Sequence, residues 1–211
     1  MLFKNIKIFK PNAVFLSILI SAAIFLSLGA AQALKDGQAV RGRVVRFHVI
    51  ANSNSEEDQA LKLKVRDAVV EKAESIAGRA KDSTEALNLL RDEIADITDT
   101  AISVIEDEGF SYRVSVETES CFFPTKEYGG IALPAGNYNA LRIVIGEGKG
   151  ENFWCVLFPP LCLSAAREKA KDKLYDTLNS RQVSLIVKNK NDTVNLRFKI
   201  IDWFEKLRHK N

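Results

Sequence analysis

The feature that most constrains this chain is the uncharged run AVFLSILISAAIFLSLGAAQA, from Ala13 to Ala33. Coiled as a helix, a segment of that length crosses a hydrocarbon core of about 30 Å, for which ~20 residues suffice. Lys4, Lys7 and Lys10 precede it and favour a cytoplasmic N-terminus. Its most apolar part, Val14 to Leu28, gives way to small residues ending in Ala31-Gln32-Ala33, the A-x-A pattern expected for signal peptidase. Residues 1–33 are therefore read as a signal peptide or an uncleaved N-terminal anchor, and the rest of the chain as exported.

Export changes the meaning of the charge. The three lysines of the targeting segment account for the whole excess of basic over acidic residues, 30 against 27 in the full chain. The remainder of the chain is formally neutral, so the clustered cations that neutralise phosphates are missing and a nucleic-acid partner loses its electrostatic basis.

The exported part suits one domain, residues 43–211, after a short polar linker at 34–42. Arg43 to Ile50 is β-branched and aromatic and reads as a buried strand. Ser55 with Asp58 three residues on is a capping-box pattern. It opens a helix carrying Leu61, Val65, Val69, Ala73 and Ile76 at helical spacing up to Gly78. A second helix starts near Asp82-Ser83-Thr84-Glu85 and carries Leu87, Leu90, Ile94, Ile97, Ala101 and Val104 to Gly109. Phe110, Tyr112, Val114 and Val116 then alternate with polar residues as in a half-buried strand.

Residues 121–140 (CFFPTKEYGGIALPAGNYNA) mix Pro, Gly and aromatics and suit ordered loops and short edge strands. Ala140 to Ile145 and Phe153 to Phe158 read as strands joined by the glycine-rich turn 146–150, a hairpin. Beyond Pro159-Pro160, Ser164 is placed to cap a helix with Ala166, Ala170, Leu174 and Leu178. Val183, Leu185 and Val187 alternate, as do Val194, Leu196, Phe198 and Ile200, which predicts a last hairpin before a short amphipathic end with Trp203, Phe204 and Leu207. The fold class is α+β: two layers, helices packed on a mostly antiparallel or mixed sheet, preceded by the N-terminal hydrophobic helix.

The familiar chemistries find little support. A phosphate loop requires G-x-x-x-x-G-K followed by Ser or Thr and opens a helix. Around Lys149, Ile143 stands where the first Gly is needed and Gly150 where the hydroxyl is needed. The only histidines are His48 and His209, and the cysteines Cys121, Cys155 and Cys162 form no C-x-x-C pair, so no metal site and no cofactor is expected. His48 in mid-strand suits a hydrogen-bonded structural histidine, and no nucleophile elbow accompanies it. Cys155 and Cys162 flank Pro159-Pro160, where a disulfide and two buried thiols both fit.

Four blocks carry a resemblance: the N-terminal segment, RFHVIANSNSEEDQALKLKVRDAV (46–69), FPTKEYGGIALPAGNYNALRIVIGEGKGENFWCVLFPPLC (123–162) and FKIIDWF (198–204). In them the sequence resembles the stage II sporulation protein R family of endospore-forming Firmicutes. The resemblance implies a protein made in the forespore and exported into the space between forespore and mother-cell membranes. There it would trigger a membrane-embedded aspartic protease, the sigma-E factor processing peptidase, which cleaves the sigma-E precursor. It implies a signalling ligand and no enzyme, and it carries no catalytic residue over.

For such a ligand the expected receptor surface comprises the loops 123–138 and 152–162. Tyr128, Tyr138, Phe153, Trp154 and Phe158 are the candidate aromatic anchors, with core packing the competing role for each. Asn52, Ser53 and Asp58 form a second candidate edge. The alternative from another class is an exported hydrolase or thiol enzyme acting at the cell wall through His48 or Cys155.

Overall fold

The computed structural model describes residues 11–162 and 167–187. Helix α1, Pro11–Arg41, takes in the apolar segment and does not stop at its end. From Ala13 it is long and apolar enough to cross a membrane. Residues 34–42, expected as a linker, are instead helical as far as Arg41. The reason is packing: Val40 is fully buried against the domain, and the Arg41 guanidinium donates to the Ala135 carbonyl at 3.2 Å.

Strand β1, Val45–Ile50, leads into α2, Glu56–Ala77. The predicted cap forms, Ser55 Oγ accepting from Asp58 N at 3.2 Å, and Glu56, Glu57 and Asp58 lie where the helix dipole favours acids. The second expected helix is two, α3 (Ser83–Asp92) and α4 (Ile94–Asp107). Glu93 leaves the helical region between them, and its carboxylate meets Arg79 at 3.2 Å. The apolar spacing runs on across the break, which is why periodicity alone does not show it.

The strands are β2 (Val114–Phe123), β3 (Lys126–Tyr128), β4 (Ile131–Leu133), β5 (Gly136–Ile145) and β6 (Asn152–Phe158). Among the described residues, three of them join β1 in a mixed sheet of order β2-β5-β1-β6, and β3 pairs with β4 in a separate hairpin. β1 is parallel to β5 and antiparallel to β6. The expected hairpin of β5 with β6 is therefore wrong, because β1 lies between them. Composition does not separate the two cases: crossing one strand needs about 10 Å, well within reach of residues 146–151.

Alternation divides the sheet into two faces. Phe47, Val49, Leu141, Ile143 and Leu157 meet Leu61, Val65 and Val69 of α2 and Ile97, Ala101 and Ile105 of α4, forming the main core. The opposite face carries Phe123, Tyr138, Ala140 and Val156. Its cover is thinner: Val40 of α1, the β3–β4 hairpin, and two short helices, α5 (Arg167–Asp176) and α6 (Ser180–Ile186).

Helix α6 replaces the strand expected at 183–187. Asn179 caps it by accepting from Arg181 N and Gln182 N, while Gln182 Oε1 accepts from Asn179 N. This local capping outweighs the alternation of Val183 and Leu185, and only Val187 forms a β-bridge, to Ile131. Ser164, the strand 194–200 and the segment with Trp203, Phe204 and Leu207 lie outside the described residues.

Candidate functional site

Asn52, Ser53 and Asp58, expected as a partner edge, form an internal clasp. Asn52 Nδ2 and Ser53 Oγ donate to the Asp58 carboxylate at 2.8 and 2.6 Å. Burial pushes that carboxyl up, but hydrogen bonds from Ser53, Asn52 and Tyr112 outweigh it and hold the pKa below its usual value. Asn52 Oδ1 accepts from Glu147 N, and the Asn52 and Ala51 carbonyls accept from Lys149 N and Gly150 N. The glycine-rich turn is thus pinned across the end of β1. At Gly146 (φ +59°) a Cβ would collide with the Asn52 side chain, and at Gly150 one would collide with the Ser53 carbonyl. The glycines permit close backbone approach, and the clasp leaves these polar groups satisfied inside the fold.

On the thinly covered face, Arg46 and His48 project side by side from β1. Arg46 is fully buried. Its Nε donates to the Cys155 carbonyl at 3.0 Å and an Nη to the Tyr128 hydroxyl at 2.8 Å, while its other Nη has no partner. The rings of Phe123, Tyr138 and Tyr128 surround the guanidinium at 4.3, 4.9 and 5.3 Å, a stabilising contact for a desolvated cation. His48 stacks on Trp154 at 5.0 Å, and its Nε2 lies 3.6 Å from Cys121 Sγ.

Glu119 completes a group with His48 and Cys121 whose ligand atoms all lie within 4.8 Å of one another. A cation there would compete with Arg142, which lies 3.5 Å from the Glu119 carboxylate. Burial, then the charges of Arg142 and Arg46, push the His48 pKa down to about 4, and the same positive field opposes a metal ion. Burial and Glu119 push the Cys121 thiol up to about 12. The pair is therefore a neutral thiol beside a neutral imidazole, whereas a catalytic thiol needs a depressed pKa.

The expected aromatic surface divides. Tyr138 is buried, its hydroxyl donating to the Pro134 carbonyl at 2.5 Å. Phe158 is in the main core with the Lys173 ammonium 4.6 Å from its ring. Tyr128, Phe153 and Trp154 instead line one cleft of about 360 Å³, together with Arg66 and Val70 of α2 and Leu161. Cys155 and Cys162 reach it as a bonded pair, their Cα atoms 5.5 Å apart. Cys121 is the free cysteine among the described residues.

Arg46, Glu119 and Arg66 were not singled out from sequence. For Arg46 the signal was present: in RFHVI it stands two residues from His48, which puts both on one face of the strand. Glu119 and Arg66 reach their partners through tertiary packing, and nothing local marks them.

These features define a class: an α+β domain built on a mixed sheet and carried behind an N-terminal apolar helix. The family model for stage II sporulation protein R matches residues 41–168. The chain is also 33% identical over 185 residues to stage II sporulation protein R of Bacillus subtilis (strain 168), covering 78% of this chain and 81% of that protein. The chain belongs to the stage II sporulation protein R family. No solved structure matches it.

Proposed function

We propose that the chain is an exported signalling ligand that activates a membrane-embedded aspartic protease, the sigma-E factor processing peptidase, across the space between two membranes. Family membership over most of the domain carries this reading. Three features support it. The apolar helix suits export or anchoring, an aromatic cleft opens at the sheet edge, and the half-buried Cys121 beside His48 has the wrong ionisation for thiol catalysis. Tyr128, Phe153 and Trp154 are the anchors that meet the receptor. Activation follows from differential affinity, the ligand binding the active arrangement of the protease more tightly than the inactive one.

The test is reconstitution of the protease in liposomes with its precursor substrate, with and without the purified full chain. Accelerated cleavage is expected, and no acceleration at saturating chain overturns the proposal. The competing thiol-enzyme reading rests on the 3.6 Å contact between His48 and Cys121. It requires Cys121→Ser to abolish activity in a folded chain, whereas the ligand reading expects activation to survive that substitution.

A further inference from the structure

Successive side chains of a strand point to opposite faces of its sheet. The cleft is lined by three consecutive residues of β6, Phe153, Trp154 and Cys155, so it runs over the strand's edge and not over one face. The inner edge of β6 is taken by β1, and among the described residues β6 is the last strand in the sheet order. The cleft is therefore a slot along the outer edge, with Arg66 and Val70 of α2 on one side and Tyr128 on the other. Its end is closed at Val156, whose carbonyl accepts from Leu161 N at 3.1 Å where the chain folds back after Pro159-Pro160. Short of that closure, and of Cys155 whose carbonyl Arg46 occupies, residues 152–154 offer roughly 10 Å of backbone at about 3.3 Å per residue. An edge of that kind is completed by an added extended segment.

The charge of that segment follows from Arg46. This cation lies directly behind Tyr128 and Cys155, bonded to the hydroxyl of one and the carbonyl of the other. It makes no salt bridge among the described residues, and one of its donors is unpartnered. Arg66 on the opposite wall is already paired with Asp67 at 2.6 Å. The Tyr128 hydroxyl accepts from Arg46, which leaves its own proton to donate from the cleft wall. A hydroxyl polarised by a buried cation is matched best by an anionic acceptor.

We propose, resting on the signalling reading above, that the cleft is the docking site for an extended acidic segment of the partner protein. The segment adds to the edge of β6 as a further strand, and one of its carboxylates accepts from the Tyr128 hydroxyl with Arg46 behind it. Trp154 and Phe153 receive its apolar side chains.

The probes are fluorescein-labelled Val-Glu-Val-Glu-Val and its Gln and Lys counterparts, titrated against the full chain in detergent micelles and followed by anisotropy. The Glu peptide should bind about tenfold more tightly than the Gln peptide, the discrimination expected of one charge-assisted hydrogen bond. The Lys peptide should bind more weakly than either. Bound peptide should slow hydrogen exchange within β6, and of two peptides N-methylated at adjacent central residues, the one whose blocked N–H faces β6 should not bind. Tyr128→Phe keeps the ring and should bring the Glu and Gln peptides to within about twofold, in a chain whose melting curve shows it folded.

Equal binding of the three peptides, protection outside β6, or survival of binding in both N-methylated peptides overturns the site, and all three are read on the unmodified chain. Adding Tyr128→Phe to the liposome assay separates the two proposals. If it triggers the protease as potently as the unmodified chain, the docking site is wrong and the signalling reading stands. If the unmodified chain selects the acidic peptide but triggers nothing, the site stands and the signalling reading falls.

Discussion

Phe47 and His48 are neighbours in β1, and both are nearly inaccessible to water. Phe47 enters a dry, aliphatic core against α2 and α4. His48 enters a face where Arg46, Glu119, Arg142 and Cys121 lie among four aromatic rings. One sheet thus carries two kinds of interior. The first holds the fold by removing apolar area from water. The second keeps charge in place by surrounding it with rings and hydrogen-bond acceptors, and it contributes less stability for the area it occupies.

The comparison breaks first at Phe47. Phe47→Ala should cost about 4 kcal/mol in denaturant unfolding, the range for emptying a well-packed aromatic site, with no dependence on pH. A loss below ~1 kcal/mol would mean that the first face is no better packed than the second.

His48 should show the opposite signature. Its folded pKa is depressed to about 4 from 6.5, so the unfolded chain binds more protons between those values. Stability is then complete above pH 6.5 and is lost as pH falls toward 4, by about 3 kcal/mol in full. His48→Gln should flatten that part of the stability profile. An unchanged slope between pH 6.5 and 5 would show that His48 does not sit in a positive, desolvated pocket.

The Cys155–Cys162 bridge ties β6, which both faces share, to the chain beyond Pro159-Pro160. Closing so short a loop is worth about 2.5 kcal/mol by chain entropy. Cys162→Ser should lower the unfolding free energy by that order and leave the His48 pH signature intact. The smallest effect belongs outside both interiors. Lys64 and Glu108 form an exposed ion pair, and Lys64→Ala should change stability by under ~0.5 kcal/mol.

Local signals predicted these regions unequally. Leu61, Val65 and Val69 repeat at helical spacing, and Ser55 marks the start of their helix, so α2 and the dry face were legible. The order of the sheet was not, because the glycine turn reads the same whether it closes a hairpin or passes β1. Asn52, Ser53 and Asp58 read from sequence as a partner edge, whereas their side chains bond to one another inside the fold. Asn52 also accepts from the Glu147 amide, 95 residues away, which spacing cannot reveal. Tyr128 and Trp154 stand out by residue type and line one cleft, whereas the cation behind it, Arg46, is hidden in a strand marked by its apolar neighbours.

Helix α1 has a consequence for geometry. It is continuous from the apolar segment to Arg41, and its last turns are plugged into the domain by Val40 and by the bond from Arg41 to Ala135. At 1.5 Å per residue a helix of 31 residues is about 46 Å long, some 16 Å more than a bilayer core of about 30 Å takes up. If the apolar segment of an uncut chain spans a bilayer, the domain rides on a stiff stalk that holds the edge of β6 at a set height and bearing. In a chain cut after Ala33, residues 34–41 stay seated and the domain keeps its shape but is free to turn.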